Sequence, residues 1–347
     1  VERIAAPPPS RASLPVLPVN EDGPRVRKFI KHYAYNDRRT MRKYLARAEK
    51  FLPMVREIAK EHGMPEEIGY LFMLESGANP EARSPANAVG MWQFMPATAR
   101  SYGLRVDSWV DERLDPEKST RAAMVYLKDL YGRFGCWRLA LSAYNSGENK
   151  LSRVLRREDT REYDRICSSH RLKRETREFW PKFQAIARIA RDPQKYGFQP
   201  LALKEHRKNY ELVTVRGSYS FDTISDVTGV PAYVLRAFNP ALIRKMTPAQ
   251  GITYAVRIPR GVKATLVKEL ETLPADPPSS HTVHVVRRGD SVWKIIRSYK
   301  ISKRELANLN PDINFRKVLR CGAKLVVPKP EEDSPRSKRG NRVSLLH

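Results

Sequence analysis

Long apolar runs are missing from this chain of 347 residues. Nowhere do 18 apolar residues follow one another, the length a helix needs to cross a bilayer. Cysteine is nearly absent too. Cys136, Cys167 and Cys321 form no CxxC pair and no disulfide framework. Cys136 and Cys167 share one helical region, where pairing in an oxidising compartment and two buried free thiols both stay open. The seven histidines contain no HExxH and no clustered spacing, so no metal is expected. No GxSxG elbow appears, which removes the usual serine-nucleophile design. A secretory signal is also lacking. A start at Val1 reads as a mature or trimmed product, with any export signal or lipid-bearing cysteine removed upstream.

Acidic residues are outnumbered. Lys and Arg total 64 against 38 Asp and Glu, a formal charge of +26. A field of that sign concentrates anionic partners such as nucleic acid or an acidic cell-wall polymer. The basic residues are spread along the chain among acids. With no basic helix, zinc pattern or aromatic-rich sheet motif, specific nucleic-acid binding is not expected.

The length fits two or three domains. Residues 1–35 contain Pro7-Pro8-Pro9, Pro15, Pro18 and Pro24 and read as a linker or tether. Residues 36–200 read as helical. Tyr44, Leu45, Phe51, Leu52, Val55, Ile58 and Ala59 recur near a 3.6 spacing until Gly63. Met64-Pro65-Glu66-Glu67 then opens a second helix. More helices are predicted at 118–134, 136–146, 147–156 and 174–191, and strand signals are nearly absent before residue 200. Beyond it, residues 208–262 and 282–329 repeat one β-α-α-β pattern at an offset of 71. The repeat pairs Phe221 with Val292, Ile224 with Ile295, Leu235 with Leu306 and Asn239-Pro240 with Asn310-Pro311. The closing strands match after a two-residue slip. Residues 271–281 read as a linker and 330–347 as a disordered basic tail.

One carboxylate sits where an apolar residue belongs. Ile68, Leu71 and Phe72 define a stripe at i, i+3 and i+4, and its i+7 position is Glu75. Ser76-Gly77 and Asn79-Pro80 end the helix just beyond, placing Glu75 near the negative end of the dipole. Both effects disfavour its charged form and predict a raised pKa. A carboxyl kept protonated near neutral pH suits a general acid, and a structural glutamate paired with a cation is the alternative.

The surrounding blocks are Leu74-Glu75-Ser76-Gly77, Ala82-Arg83-Ser84, Gly90-Met91-Trp92-Gln93-Phe94-Met95-Pro96 and Ala143-Tyr144-Asn145-Ser146-Gly147. With Asp111-Glu112-Arg113-Leu114-Asp115-Pro116 and Glu175-Thr176-Arg177, they closely resemble the signature of lytic transglycosylases over residues 40–200. The second repeat resembles a LysM module (Val286-Arg-Arg-Gly289-Asp290-Ser291). The first diverges, with Gly217-Ser218-Tyr219 in place of the Gly-Asp pair.

The resemblance implies an α+β multidomain chain: a mainly α, lysozyme-like catalytic domain followed by two small LysM-type modules. It implies Glu75 as acid and then base, with Ser76, Ser84, Met91, Trp92, Gln93, Phe94, Tyr144, Asn145 and Glu175 lining the substrate site. Asp111 and Asp115 read as structural. No cofactor is implied. The implied partner is peptidoglycan, met by the cleft and by the modules through GlcNAc. A periplasmic or otherwise envelope location, membrane association through a removed N-terminal anchor, and a monomer are expected. Phe179 stands where relatives carry Tyr, Lys173 where they carry Pro, and Gly147-Glu148-Asn149 where they carry Gly-Glu-Gly. A hydrolytic muramidase and an inactive wall-binding protein are the rival readings.

Overall fold

The computed structural model describes residues 14–168, 171–203, 209–248, 253–271, 281–299, 301–310, 313–315 and 319–328. Two compact units divide the chain, Val1–Asn209 and Tyr210–His347. The expected linker at 271–281, apart from its two end residues, and the whole tail at 330–347 lie outside the described residues.

The first unit is helical. α1 (Pro24–Lys31) passes through one π-helical turn (His32–Asn36) into α2 (Arg38–Glu61), capped by Asp37, whose carboxylate accepts from the Thr40 amide. A 3-10 turn (Glu66–Tyr70) leads into α3 (Leu71–Ser76), so the second predicted helix exists as two tighter pieces. After α4 (Pro96–Ser101) come α5 (Pro116–Phe134), α6 (Trp137–Ser146), α7 (Glu148–Arg157), α8 (Tyr163–Ser168) and α9 (Arg174–Arg191). The periodicity had placed α5, α6, α7 and α9 within two residues of these bounds. One contiguous core fills the space between them, with Leu52, Ile58, Ile68, Leu71, Phe72 and Phe183 fully or almost fully buried.

The N-terminal segment departs from its reading as a free tether. Residues 1–13 lie outside the described residues, but Leu17 and Val19 are buried in the core and residues 24–36 are helical. The prolines do not prevent this, because a proline lacks only the N–H and keeps its carbonyl. Trp137 Nε1 donates to Pro15 O at 2.9 Å, and Gln184 donates to Pro18 O. Glu21 anchors the strap: its carboxylate accepts from Arg138 at 2.6 and 3.0 Å and from Trp180 Nε1 at 2.8 Å.

In the second unit, β1 (Tyr210–Arg216) pairs antiparallel with β2 (Thr253–Pro259), and β3 (His281–Val285) pairs antiparallel with β4 (Lys324–Pro328). Between the strands lie α10 (Phe221–Thr228) with α11 (Ala232–Phe238), and α13 (Val292–Ser298) with α14 (Lys303–Leu309). The offset of 71 survives in atomic detail. Ser220 and Ser291 each cap the helix they precede, accepting from Thr223 N and Lys294 N. Buried Asn239 and Asn310 each donate to the carbonyl four residues back and exchange two bonds with the closing strand, at Arg257 and Val326. The Asn of each Asn-Pro therefore stitches helix to sheet. An additional helix, α12 (Lys263–Leu270), follows β2 and buries Leu266, a feature the sequence reading lacked.

Glu21→Ala strands the Trp180 donor and leaves Arg138 only its exposed partner Asp164. It is expected to lower the stability of the first unit by about 2 kcal/mol, since bonds to a charged group are worth roughly 1.5–3 kcal/mol each. Chemical denaturation monitored by tryptophan fluorescence checks it, and an unchanged midpoint would show the strap to be dispensable.

Candidate active site

Glu75 lies in the last turn of α3, and the chain is forced to turn just after it. Gly77 adopts φ +61°, and a Cβ there would lie 2.2 Å from the Tyr44 ring, so only glycine lets α3 approach α2. Ser76 closes the same turn: its hydroxyl donates to Phe72 O and accepts from Asn79 N, both at 3.1 Å. This commits Ser76 to holding the turn rather than reaching outward.

The Glu75 residue as a whole is partly exposed, yet its Oε1 is sealed from solvent and has no hydrogen-bond partner among the described residues. Burial pushes the carboxyl pKa up from 4.5 to about 8, and the like charge of Glu175 adds to the rise. Glu175 stands in the first turn of α9, exposed, and accepts from Asn145 Nδ2 at 3.4 Å. Asn145 is oriented in turn by buried Thr176, whose hydroxyl donates to Asn145 Oδ1 at 2.8 Å.

Tyr144, one residue before Asn145 on α6, feels the charge of Glu75 directly. Burial first, then Glu75, raises the phenol pKa well above 10. Its hydroxyl donates to Trp92 O at 2.7 Å, which ties α6 to the Gly90–Phe94 loop. Behind it stands Tyr126, ring centroids 5.2 Å apart, whose own hydroxyl donates to Glu148 Oε2 at 3.0 Å. Tyr126, Glu148 and Thr176 were missed as site residues. Glu148 and Thr176 sit inside recognisable blocks, whereas Tyr126 lies on an ordinary helical face without a motif.

The loop that carries Gln93 is built with little slack. Gly90 (φ +85°) faces Arg113 O so closely that a Cβ would fall 1.9 Å from it. Gln93 holds φ +49°, and its amide donates to Gly90 O at 2.8 Å. Arg113, paired at both oxygens with buried Asp111, donates to the carbonyls of Asn87 and Phe94 at 2.9 and 3.1 Å. Asp115 caps α5 through the amides of Glu117 and Lys118. Both aspartates are thus structural, as the sequence suggested.

Besides Ser76, four of the expected lining residues need correction. Met91 and Trp92 have no exposed surface and Phe94 is 2% exposed, so all three pack in the core beneath the loop instead of forming a wall for sugars. Trp92 spends its indole N–H on Thr120 Oγ1 at 2.9 Å. Ser84 accepts from Ala88 N at 3.0 Å, stabilising its own turn, and no contact brings it to Glu75. Phe179, at the departure from the usual pattern, is buried as well, and neighbouring Trp180 turns to Glu21. The structure therefore brings Glu75, Tyr144, Asn145 and Glu175 together, with Gln93 adjoining through the Trp92 carbonyl. Cys136, Cys167 and Cys321 are free thiols. Among the described residues no group of His, Cys, Asp or Glu is arranged to hold a metal.

Comparison with known proteins gives this geometry its relatives. Residues 54–167 match the transglycosylase SLT domain, residues 209–275 the LysM-like domain of lytic transglycosylase MltD, and residues 284–328 the LysM domain. Membrane-bound lytic murein transglycosylase D of Escherichia coli is 29% identical over 294 residues, 82% of this chain and 64% of that protein. The chain thus spans less than two thirds of that relative's length. Membrane-bound lytic murein transglycosylase C of Haemophilus ducreyi is 32% identical over 169 residues, 43% of this chain and 46% of that one. Among solved structures, an inactive mutant of lytic transglycosylase Slt from Pseudomonas aeruginosa aligns at 26% identity and a TM-score of 0.35, covering 43% of this chain and 25% of its own. Residues 54–167 form a transglycosylase SLT domain, and a LysM-like module of the MltD type and a LysM module follow it in the same chain.

Proposed function

We propose that this protein is a peptidoglycan lytic transglycosylase in which Glu75 serves as acid and then as base. The observation that carries the reading is the unpartnered, solvent-sealed Oε1 of Glu75, whose pKa of about 8 keeps a proton available near neutrality. Glu75 gives that proton to the oxygen between MurNAc and GlcNAc as the bond to C1 breaks. The carboxylate so formed removes the proton from the C6 hydroxyl of the same MurNAc, whose oxygen closes on C1. The product is a 1,6-anhydroMurNAc end, no water is consumed, and the intramolecular attack gains from proximity. Gln93, Asn145 and Glu175 are the polar groups placed to orient the sugars, and Tyr144 backs the acid. The modules hold the chain on the insoluble polymer by effective concentration. The reading places the protein in the cell envelope, at the periplasmic face of the wall, as a monomer that an upstream anchor would tether to a membrane.

A hydrolytic muramidase is the second reading, favoured by one observation. Glu175 is a second carboxylate within electrostatic reach of Glu75, as a base activating water would need to be. Product chemistry separates the two. Mass spectrometry of material released from purified sacculi is expected to give anhydro ends. Glu75→Gln should abolish release while leaving sacculus binding intact. Reducing ends would replace the transglycosylase reading with the hydrolytic one, and wild-type release by the variant would remove Glu75 from the chemistry.

The acid form of Glu75 disappears as pH rises through about 8, so turnover is expected to fall across that range. Stability follows the same proton. The folded value is raised above the unfolded 4.5, so the two states bind equal protons below 4.5, and the folded state loses stability progressively as pH climbs towards 8. Glu75→Gln should therefore raise Tm at pH 9 and change it little at pH 4. Equal Tm increments at both values would contradict the raised pKa.

A further inference from the structure

Positive charge is concentrated on one helix of the first unit. Between residues 25 and 50 the chain has ten Lys and Arg against two acids. Both acids are engaged: Asp37 caps α2, and Glu49 accepts from Ala202 N at 3.2 Å. The first half of α2 buries Met41, Leu45, Ala48 and Leu52 on one side. The opposite stripe is Arg39, Arg42, Lys43, Arg47 and Lys50, all exposed. Among the described residues, none of the five has a carboxylate within ion-pairing distance. Several arginines elsewhere in this unit, among them Arg105, Arg113, Arg121, Arg138 and Arg171, each face an acid. The sequence reading, which saw basic residues mixed with acids and no basic helix, is corrected at this point.

The position of the stripe is as informative as its charge. Arg47 donates to Gly77 O at 3.4 Å, and the Tyr44 ring covers the same glycine. The stripe thus runs up to the turn that ends the Glu75 helix, two residues from the acid. At a rise of about 1.5 Å per residue, Arg39 to Lys50 spans roughly 17 Å. An extended peptide of about five residues covers the same length at roughly 3.3–3.6 Å each.

We infer that the exposed cationic stripe of α2 binds the acidic stem peptides that the glycan substrate carries, so that the enzyme selects peptide-bearing strands beside its active site. This rests on the reading of the substrate as peptidoglycan. In that polymer the sugars are largely neutral and the negative charge lies in the peptide carboxylates, which is where unpaired cations can discriminate. The peptides need no rigid pocket. Several exposed contacts of roughly 0.2–1 kcal/mol each add up to a salt-sensitive preference of about tenfold.

The test uses the full chain carrying Glu75→Gln, so that the polymer stays intact, with and without Arg39→Gln, Arg42→Gln, Lys43→Gln and Lys50→Gln together. Arg47 is left alone because it contacts the turn at Gly77. All four changes are on the surface, and circular dichroism with Tm confirms folding. Binding is measured to native sacculi and to sacculi whose carboxylates have been converted to amides with carbodiimide and ammonia. The parent chain should bind native sacculi about tenfold more tightly than amidated ones at low salt, and the difference should shrink as salt rises. The fourfold variant should bind both as weakly as the parent binds amidated sacculi. Equal affinity of the parent for both polymers, or a variant that still discriminates, overturns the inference. So does a stripe-dependent affinity found only on anionic phospholipid vesicles or duplex DNA, which would assign it to a membrane or to nucleic acid. Failure of the enzymatic reading is scored separately, by the absence of anhydro ends when the wild-type chain meets native sacculi.

Discussion

The structure turns on one carboxyl oxygen that is buried and given nothing to bond. Leaving such a group unsatisfied costs free energy, and a cation beside it would remove the penalty cheaply. The fold withholds that cation. The ionisable groups that act on Glu75 and Tyr144 are a carboxylate, Glu175, and a phenol, Tyr126. Three side chains around this turn and loop are committed to backbone carbonyls: Ser76 to Phe72 O, Tyr144 to Trp92 O, Gln93 to Gly90 O. Glu75 keeps its proton because burial disfavours the anion and the charge of Glu175 opposes it.

Those commitments also make the site rigid. Ser76 and Gln93 close their own turns, while Tyr144 reaches from α6 to the Trp92 carbonyl and so couples two separate segments. Arg113 is the strongest case, since a buried guanidinium paired at both ends with Asp111 reaches two carbonyls of the Gln93 loop. Breaking the pair would leave a buried charge alone, which is much costlier than the pair is favourable. The arrangement resembles a support for a loop whose three positive φ angles, at Asn87, Gly90 and Gln93, would otherwise relax.

Much of this was legible from residue order, for identifiable reasons. A glutamate at i+7 of the Ile68, Leu71, Phe72 stripe falls on its apolar side in an α-helix, and its Oε1 is sealed although the stripe is split between a 3-10 turn and α3. The repeat offset was legible because the same asparagine solves the same hydrogen-bond problem in both modules. What stayed hidden depended on tertiary contact. Met91, Trp92 and Phe94 look alike as core or as cleft wall, since both roles call for large apolar side chains. The strap at residues 14–23 reads as linker by composition, but its hold comes from proline carbonyls and from Glu21, partners that lie more than a hundred residues away. Tyr126 acts through a ring contact that no spacing encodes.

The two modules show where one frame permits divergence. Their caps and buried asparagines coincide, so the differences fall on the loop after the first strand. In the second module Asp290 organises that loop, accepting from Arg287 N at 2.8 Å and meeting His284 Nε2 at 3.0 Å, contacts that hold its carboxyl below the usual range. The first module has no acid there and uses Thr247 instead, fully buried, donating to Gly217 O at 2.6 Å and accepting from Tyr219 N at 2.7 Å. A neutral buried hydroxyl and an anionic carboxylate solve the same turn, and only the second module has a carboxylate in that loop. The missing Gly-Asp pair of the first repeat is therefore a change of loop chemistry on an intact scaffold.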